Sequence, residues 1–191
     1  MFKKLIIATV ALSSMATFAA VTKIEVDPAA SKLVYVGKKV TGEHTGEVKI
    51  ANGHLNFDKD ALKGGEFEID MTTITNTDLT DKEYLTKFLT HITSDDFFAT
   101  DKFKTAKLVI KSVKKEKAAD TYKVTADLTI KGKTAPVTFD AVATKEKASA
   151  KVVFDRTKYD IKYGSGKFFQ GLGDKLINDD VQLDVSLTAK K

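Results

Sequence analysis

The chain has 191 residues, 42% of them hydrophobic and 30% charged, and no cysteine. That is enough for one domain with a real core and too apolar for a disordered chain. The absence of cysteine excludes a disulfide framework, thiol catalysis and cysteine-based metal sites.

Residues 1–19 read as a secretory signal peptide. Lys3 and Lys4 form a basic start, Leu5 to Leu12 is apolar except for Thr9, and Thr17-Phe18-Ala19 precedes the expected cut. The run is too short for a spanning helix, which needs about 20 apolar residues. Residues 20–191 are then the exported domain, with no transmembrane segment, and the expected location is the periplasm or the exterior. Setting Lys3 and Lys4 aside takes the net charge from +5 to +3. Acids and bases are interleaved along the rest. That is the pattern of a solvated surface, and it argues against a nucleic-acid partner.

Strands follow in order. Thr22 to Val26 is a first, broken by Asp27-Pro28, and Lys32 to Val36 a second. Gly37 to Gly46 is polar and glycine-rich, a loop or bent strand. Glu47 to Ile50 and Gly53 to Phe57 read as a hairpin turning at Asn52-Gly53. Gly64-Gly65 then separates it from Glu66 to Thr73, where Phe67, Ile69 and Met71 alternate with acids. One helix interrupts the strands. Thr80-Asp81-Lys82-Glu83 fits a capping box with Thr80 as cap, and Tyr84, Leu85, Phe88, Leu89 and Ile92 share one face. The helix is expected against the barrel or across one end. Ser94-Asp95-Asp96-Phe97-Phe98 follows as an apolar plug between acids, with the aspartates suited to capping.

Strands resume at Lys107 to Val113. The clearest signal is the hairpin from Tyr122 to Ala143. Tyr122, Val124, Ala126, Leu128 and Ile130 alternate with polar residues, and Val137, Phe139, Ala141 and Ala143 answer them across a turn at Gly132-Lys133. Pro136 lacks a backbone donor and belongs at a strand start or an edge. Ala148 to Phe154 and Val181 to Leu187 complete the set, with a glycine-rich loop, Gly164 to Gly173, between them. Short turns between alternating strands imply an all-β antiparallel architecture with one short helix. An eight-stranded barrel with an apolar interior fits better than a sandwich, because several strands are long enough to tilt around a closed wall.

Catalytic constellations are absent. His44, His54 and His91 have no metal-ligand spacing, Gly164-Ser165-Gly166-Lys167 lacks the spacing of a phosphate loop, and no serine sits in a nucleophile elbow. The expectation is a non-enzymatic protein with no catalytic residues, metal or cofactor. Arg156 is the sole arginine beside 30 lysines.

Several stretches together resemble the YceI-like family of exported polyisoprenoid-binding proteins. They are Asp27-Pro28-Ala29-Ala30-Ser31, Ser94 to Phe98, Leu128 to Val137, and Phe154-Asp155-Arg156-Thr157-Lys158-Tyr159-Asp160-Ile161. The resemblance covers essentially the whole of residues 20–191. It implies a lipocalin-like barrel holding a polyisoprenoid or similar amphiphilic lipid, and a possible homodimer. The interior candidates for such a ligand are Phe67, Ile69, Met71, Leu128, Ile130, Phe139, Val152 and Phe154. The candidates for the mouth, where a head group would sit, are His91, Phe97, Phe98, Arg156, Tyr159, Phe168 and Phe169. The alternative reading is a non-catalytic, stress-related structural or interaction protein whose barrel is filled by its own side chains.

Overall fold

The computed structural model describes residues 21–191, so the expected signal peptide lies outside the described residues. Ten strands form one antiparallel sheet: β1 (Thr22–Glu25), β2 (Lys32–Lys39), β3 (Gly42–Glu47), β4 (Lys49–Asp58), β5 (Ala61–Asp70), β6 (Thr105–Lys115), β7 (Thr121–Ile130), β8 (Lys133–Ala143), β9 (Lys147–Asp155) and β10 (Ile177–Thr188). Their spatial order is β1-β4-β5-β6-β7-β8-β9-β10-β2-β3. Only Val48 separates β3, at one end of this order, from β4, next to the other end. The sheet therefore curls round on itself into a barrel-like wall. The sheet has ten strands against the expected eight: β1 stands where a first strand was expected, β3 occupies the glycine-rich stretch read as a loop or bent strand, and the two strands expected at Glu47 to Ile50 and Gly53 to Phe57 are one, β4.

The β7–β8 hairpin follows its alternation closely. Tyr122, Val124, Ala126, Leu128 and Ile130 are all buried, as are Ala135, Val137, Ala141 and Ala143. Its turn is one residue earlier than expected. Lys131 (φ 49°) and Gly132 (φ 68°) are the central pair, both in the left-handed region that a two-residue hairpin turn needs. Pro136 stands opposite Asp127 inside β8, yet β9 pairs with β8 only from Ala141 to Ala143. Pro136 therefore lies at a local edge and interrupts no ladder.

Asn52-Gly53 is not a turn. Both residues lie within β4, where the register shifts between Ile50 and Asn52. A Cβ on Gly53 would run into the Phe67 ring of β5, so this glycine permits close packing and not reversal. The reversal comes at Lys59, whose φ is 54°, and β5 then runs unbroken through Gly64-Gly65.

The helix, α1 (Lys82–Thr93), begins one residue later than the capping box implied. The cap is Asp81, whose carboxylate accepts the Glu83 and Tyr84 N–H groups. Glu83 instead pairs with Lys87 one turn on, at 2.6 Å. Asp95 and Asp96 cap no helix: Asp95 takes the Lys102 ammonium and Asp96 stands 3.3 Å from the His91 ring. No residue of α1 is fully buried, so the helix lies against the barrel and not within its core. None of the helices among the described residues is long and apolar enough to cross a membrane.

Candidate functional site

The inward faces of the strands enclose an apolar cavity of about 240 Å³. An apolar cavity of about 150 Å³ is already enough to stay dry and bind benzene. All eight interior candidates line it: Phe67, Ile69 and Met71 from β5 and its end, Leu128 and Ile130 from β7, Phe139 from β8, and Val152 and Phe154 from β9. The period-two pattern explains why the strand residues among them point inward, and Met71 continues that line in the 3-10 turn after β5.

One end of the cavity is sealed. Phe57, Tyr122 and Val26 are buried beneath it. The Tyr122 hydroxyl donates to the Asp60 carbonyl and accepts from the Leu62 N–H, both at 3.3 Å. Backbone bonds from Ala143 to Asp120, from Ala189 to Glu146 and from Lys190 to Glu25 tie the turns together there.

The opposite end is walled by α1, the β2–β3 turn, the plug and the start of β10. Phe88 and Ile92 of α1 line the cavity with Phe97 and Phe98, as do the exposed Lys38, Lys39 and Asn178. Of the seven mouth candidates, then, Phe97, Phe98 and Arg156 line the cavity. His91 does not. It stands behind Phe97, edge-on at 4.9 Å, and edge-on to Tyr163 at 4.5 Å. Phe168 and Phe169 point outward and are about half exposed, with the Lys162 ammonium 5.2 Å above the Phe168 ring.

Arg156 touches the cavity wall but its guanidinium is committed to the protein. Nε donates to the Asn178 carbonyl (3.0 Å), one amino group to Ile161 and Tyr163 (2.9 and 2.8 Å), and the other to Ile177 (3.0 Å). Asp179 lies 3.4 Å from it, and Lys167 bridges Asp179 and Asp155. Burial pulls the guanidinium's pKa below its ordinary value, and Asp179 and Asp155 oppose that pull. Its side chain is 2% exposed. The sole arginine thus clamps the segment 156–163 to the start of β10. Tyr159 belongs to the same buried layer, its ring edge-on to Phe154 at 5.6 Å. Burial, with Asp155 adding to it, pushes the Tyr159 phenol up to about 12. It does not line the cavity.

Sequence reasoning missed Tyr35, Phe88, Ile92, Lys39 and His44, which do line it. Phe88 and Ile92 were legible as a helical face, though not as cavity wall. His44 lies in a stretch with no apolar periodicity. Its Nδ1 is 2.8 Å from an Asp78 carboxylate oxygen and its ring centroid 4.7 Å from that of Phe88. Burial alone would raise the Asp78 carboxyl. Hydrogen bonds from the Thr45 N–H, His44 and Asn76 outweigh it and hold the group below the usual carboxylate range. Among the described residues, no three His, Asp or Glu side chains come together in a way that could hold a metal ion.

The profile of the YceI-like domain matches residues 24–189. No curated protein matches the chain in sequence. Among solved structures, BcnA of Burkholderia cenocepacia superposes with a TM-score of 0.68 at 24% identity, over 86% of this chain and 99% of its own. A polyisoprenoid-binding domain from Saccharophagus degradans, implicated in plant cell wall breakdown, gives 0.58 at 15% identity, over 87% and 97%. A YceI protein of Campylobacter jejuni gives 0.51 at 16%, over 98% and 92%. At these identities the likeness is one of fold.

Proposed function

The chain belongs to the YceI-like family, and we propose that it is an exported binding protein that carries a polyisoprenoid or similar amphiphilic chain inside its barrel. The observation that carries this reading is the apolar cavity of about 240 Å³, sealed at one end and reached from the other through residues in contact with solvent. Burying an apolar chain gains roughly 0.8 kcal/mol per CH₂. An apolar wall can therefore hold a long tail with few specific partners. A barrel filled by its own side chains would leave no such space. The name of the Saccharophagus neighbour points to the same ligand class. The basic start and apolar run of residues 1–19 support export to the periplasm. The reading is non-catalytic and needs no cofactor.

The test is native mass spectrometry of the full chain expressed in bacteria and purified from the periplasmic fraction without detergent. The expected result is a chain beginning at Ala20 with extra mass that organic solvent removes and that fragments in isoprene units. A variant with the interior narrowed, Ala150→Phe, is expected to lose that mass and keep its fold. Equal retention by the variant, or a bare mass together with no uptake of added prenol, would overturn the proposal.

A further inference from the structure

We propose that the outer rim formed by the β2–β3 turn and residues 156–176 docks on a bilayer surface bearing anionic phospholipids. Phe168 and Phe169 enter the interface, and the lysines around them meet its charge. The proposal goes beyond the lipid-binding reading and does not depend on it.

The two phenylalanines are displayed without a task inside the molecule. Phe168 and Phe169 are 49% and 48% exposed, and neither ring lines the cavity. Their base is fixed. Ser165 is fully buried, and its carbonyl accepts the N–H groups of Phe168 and Phe169, at 3.1 and 3.0 Å. The Ile177 N–H donates to the Gly164 carbonyl at 2.9 Å, which fastens this turn to the start of β10. Gly164 has a φ of 63°, and a Cβ there would crowd the Ile177 side chain at 3.1 Å. The same stretch meets the β2–β3 turn, because the Val40 N–H donates to the Leu176 carbonyl at 3.2 Å. Val40, itself 60% exposed, and the paired phenylalanines thus belong to one connected ledge. Exposed apolar groups rimmed by polar ones mark a surface that another body covers.

Charge decides what that body is. Across residues 38–43 and 156–176 the exposed charged side chains are Lys38, Lys39, Lys158, Lys162, Lys167 and Lys175 against Glu43, Asp160 and Asp174. Lys38 is matched by Glu43, Lys162 by Asp160, and Lys167 by Asp155 and Asp179, which leaves Lys39, Lys158 and Lys175 with only Asp174 against them on these segments. The Lys162 ammonium stands 5.2 Å over the Phe168 ring, so cation and apolar face project together. α1 has no such excess, since Lys82 and Lys87 meet Asp81 and Glu83, and the docking face excludes it. Lysines set among exposed phenylalanines are the composition of a segment that lies in a membrane interface. A protein partner would have to offer pockets for two projecting rings. A bilayer takes them without any. Lys38 and Lys39 also line the open end of the cavity, so a bilayer docked here meets the entrance.

The experiment is flotation of the purified chain with vesicles of phosphatidylcholine, alone or mixed with phosphatidylglycerol. The wild type is expected to float with the mixed vesicles and not with the neutral ones. Raising the salt from about 0.1 M to about 1 M shortens the Debye length from about 10 Å to about 3 Å and is expected to release it. The double variant Phe168→Ser/Phe169→Ser is expected to bind about tenfold more weakly, and Lys39→Gln/Lys175→Gln to lose affinity on a similar scale. Val142→Ser removes an equally exposed side chain from β8 near the sealed end and is expected to change nothing. The chain has no tryptophan, so Phe168→Trp supplies a single reporter. Its emission is expected to shift to the blue on the mixed vesicles and to be quenched by brominated acyl chains. Uptake of the neutral fluorophore N-phenyl-1-naphthylamine without vesicles follows the cavity separately, and the serine variant is expected to keep it. Equal flotation with both vesicles, a serine variant that floats as well as the wild type, or an indole that stays in water overturns the proposal. A wild type that floats with neither vesicle also overturns it and leaves the ledge to a protein partner. A wild type that takes up no fluorophore overturns the lipid-binding reading and leaves the docking face standing.

Discussion

The two ends of the barrel are built by different physics. The sealed end is held by strand turns, backbone hydrogen bonds and the Tyr122 hydroxyl between Asp60 and Leu62. Its strands carry a local, period-two alternation, and neutral bonds that reach across the sequence, from Tyr122 to residues 60 and 62 and from Lys190 to Glu25, close it. The open end is held by charged side chains. Arg156 joins residues 161, 163, 177 and 178, and Asp78 joins residues 44, 45 and 76. A wall that only needs to stay shut can rely on apolar packing. An entrance that must stay open to solvent needs polar clamps to hold its shape.

Arg156→Ala has the largest expected effect. It removes four hydrogen bonds to backbone carbonyls and leaves Asp179 without its buried partner. Breaking a buried charged network in this way costs about 3–5 kcal/mol. Urea denaturation is expected to show that loss, and hydrogen exchange to show residues 156–177 losing protection first. Arg156→Lys is not expected to rescue, because one ammonium cannot replace a planar fork with five donors. If residues 156–177 keep their protection in the alanine variant, the contrast between the two ends fails.

Tyr122→Phe makes the corresponding change at the sealed end. The Leu62 N–H and Asp60 carbonyl lose their shared partner, at a cost of about 1–2 kcal/mol. The ring stays buried, so ligand uptake is expected to be unchanged while the urea midpoint falls. A loss of uptake comparable with that of the Arg156 variant would show that the sealed end also shapes the entrance.

Asp81→Ala removes the cap of α1, whose carboxylate accepts two N–H groups. The expected loss is about 1 kcal/mol, confined to the helix because its contacts are with the entrance alone. Faster exchange over residues 82–88, with faster release of bound fluorophore, would check it.

These differences also mark what could be read from the sequence. The β7–β8 hairpin was legible residue by residue, because period-two alternation is a local signal. The apolar interior followed from it, and all eight interior candidates line the cavity. Asn52-Gly53 misled because the same dipeptide serves a tight turn or a close approach, and only the Phe67 ring across the ladder decides between them. Arg156 drew notice as the sole arginine, yet its partners are carbonyls, which every residue has and no sequence pattern marks. His44 was hidden for a further reason. Its place in the cavity wall is fixed by Asp78, 34 residues away, a contact that has no period.

Acid is expected to act on the open end first, and this is the mildest of the effects. Asp78 and Asp155 both stand there. Burial alone would raise the Asp155 carboxyl, but hydrogen bonds from Lys167 and Thr157 hold it, like Asp78, below its ordinary value. A carboxyl whose folded pKa lies below the unfolded value of about 3.9 gives its full stabilisation above that value. The stabilisation is lost as the pH falls through the depressed folded values. Glu25 and Glu66 are also held low, by Lys23 and Lys107, but both are exposed on the outer wall, where solvent screens such pairs. The Tyr122 bridge at the sealed end is neutral and has no proton to gain. Hydrogen exchange at decreasing pH below about 4 is therefore expected to release residues 76–93 and 156–177 before residues 121–143. Simultaneous release of both ends would mean that the entrance is held by its packing and not by its carboxylates.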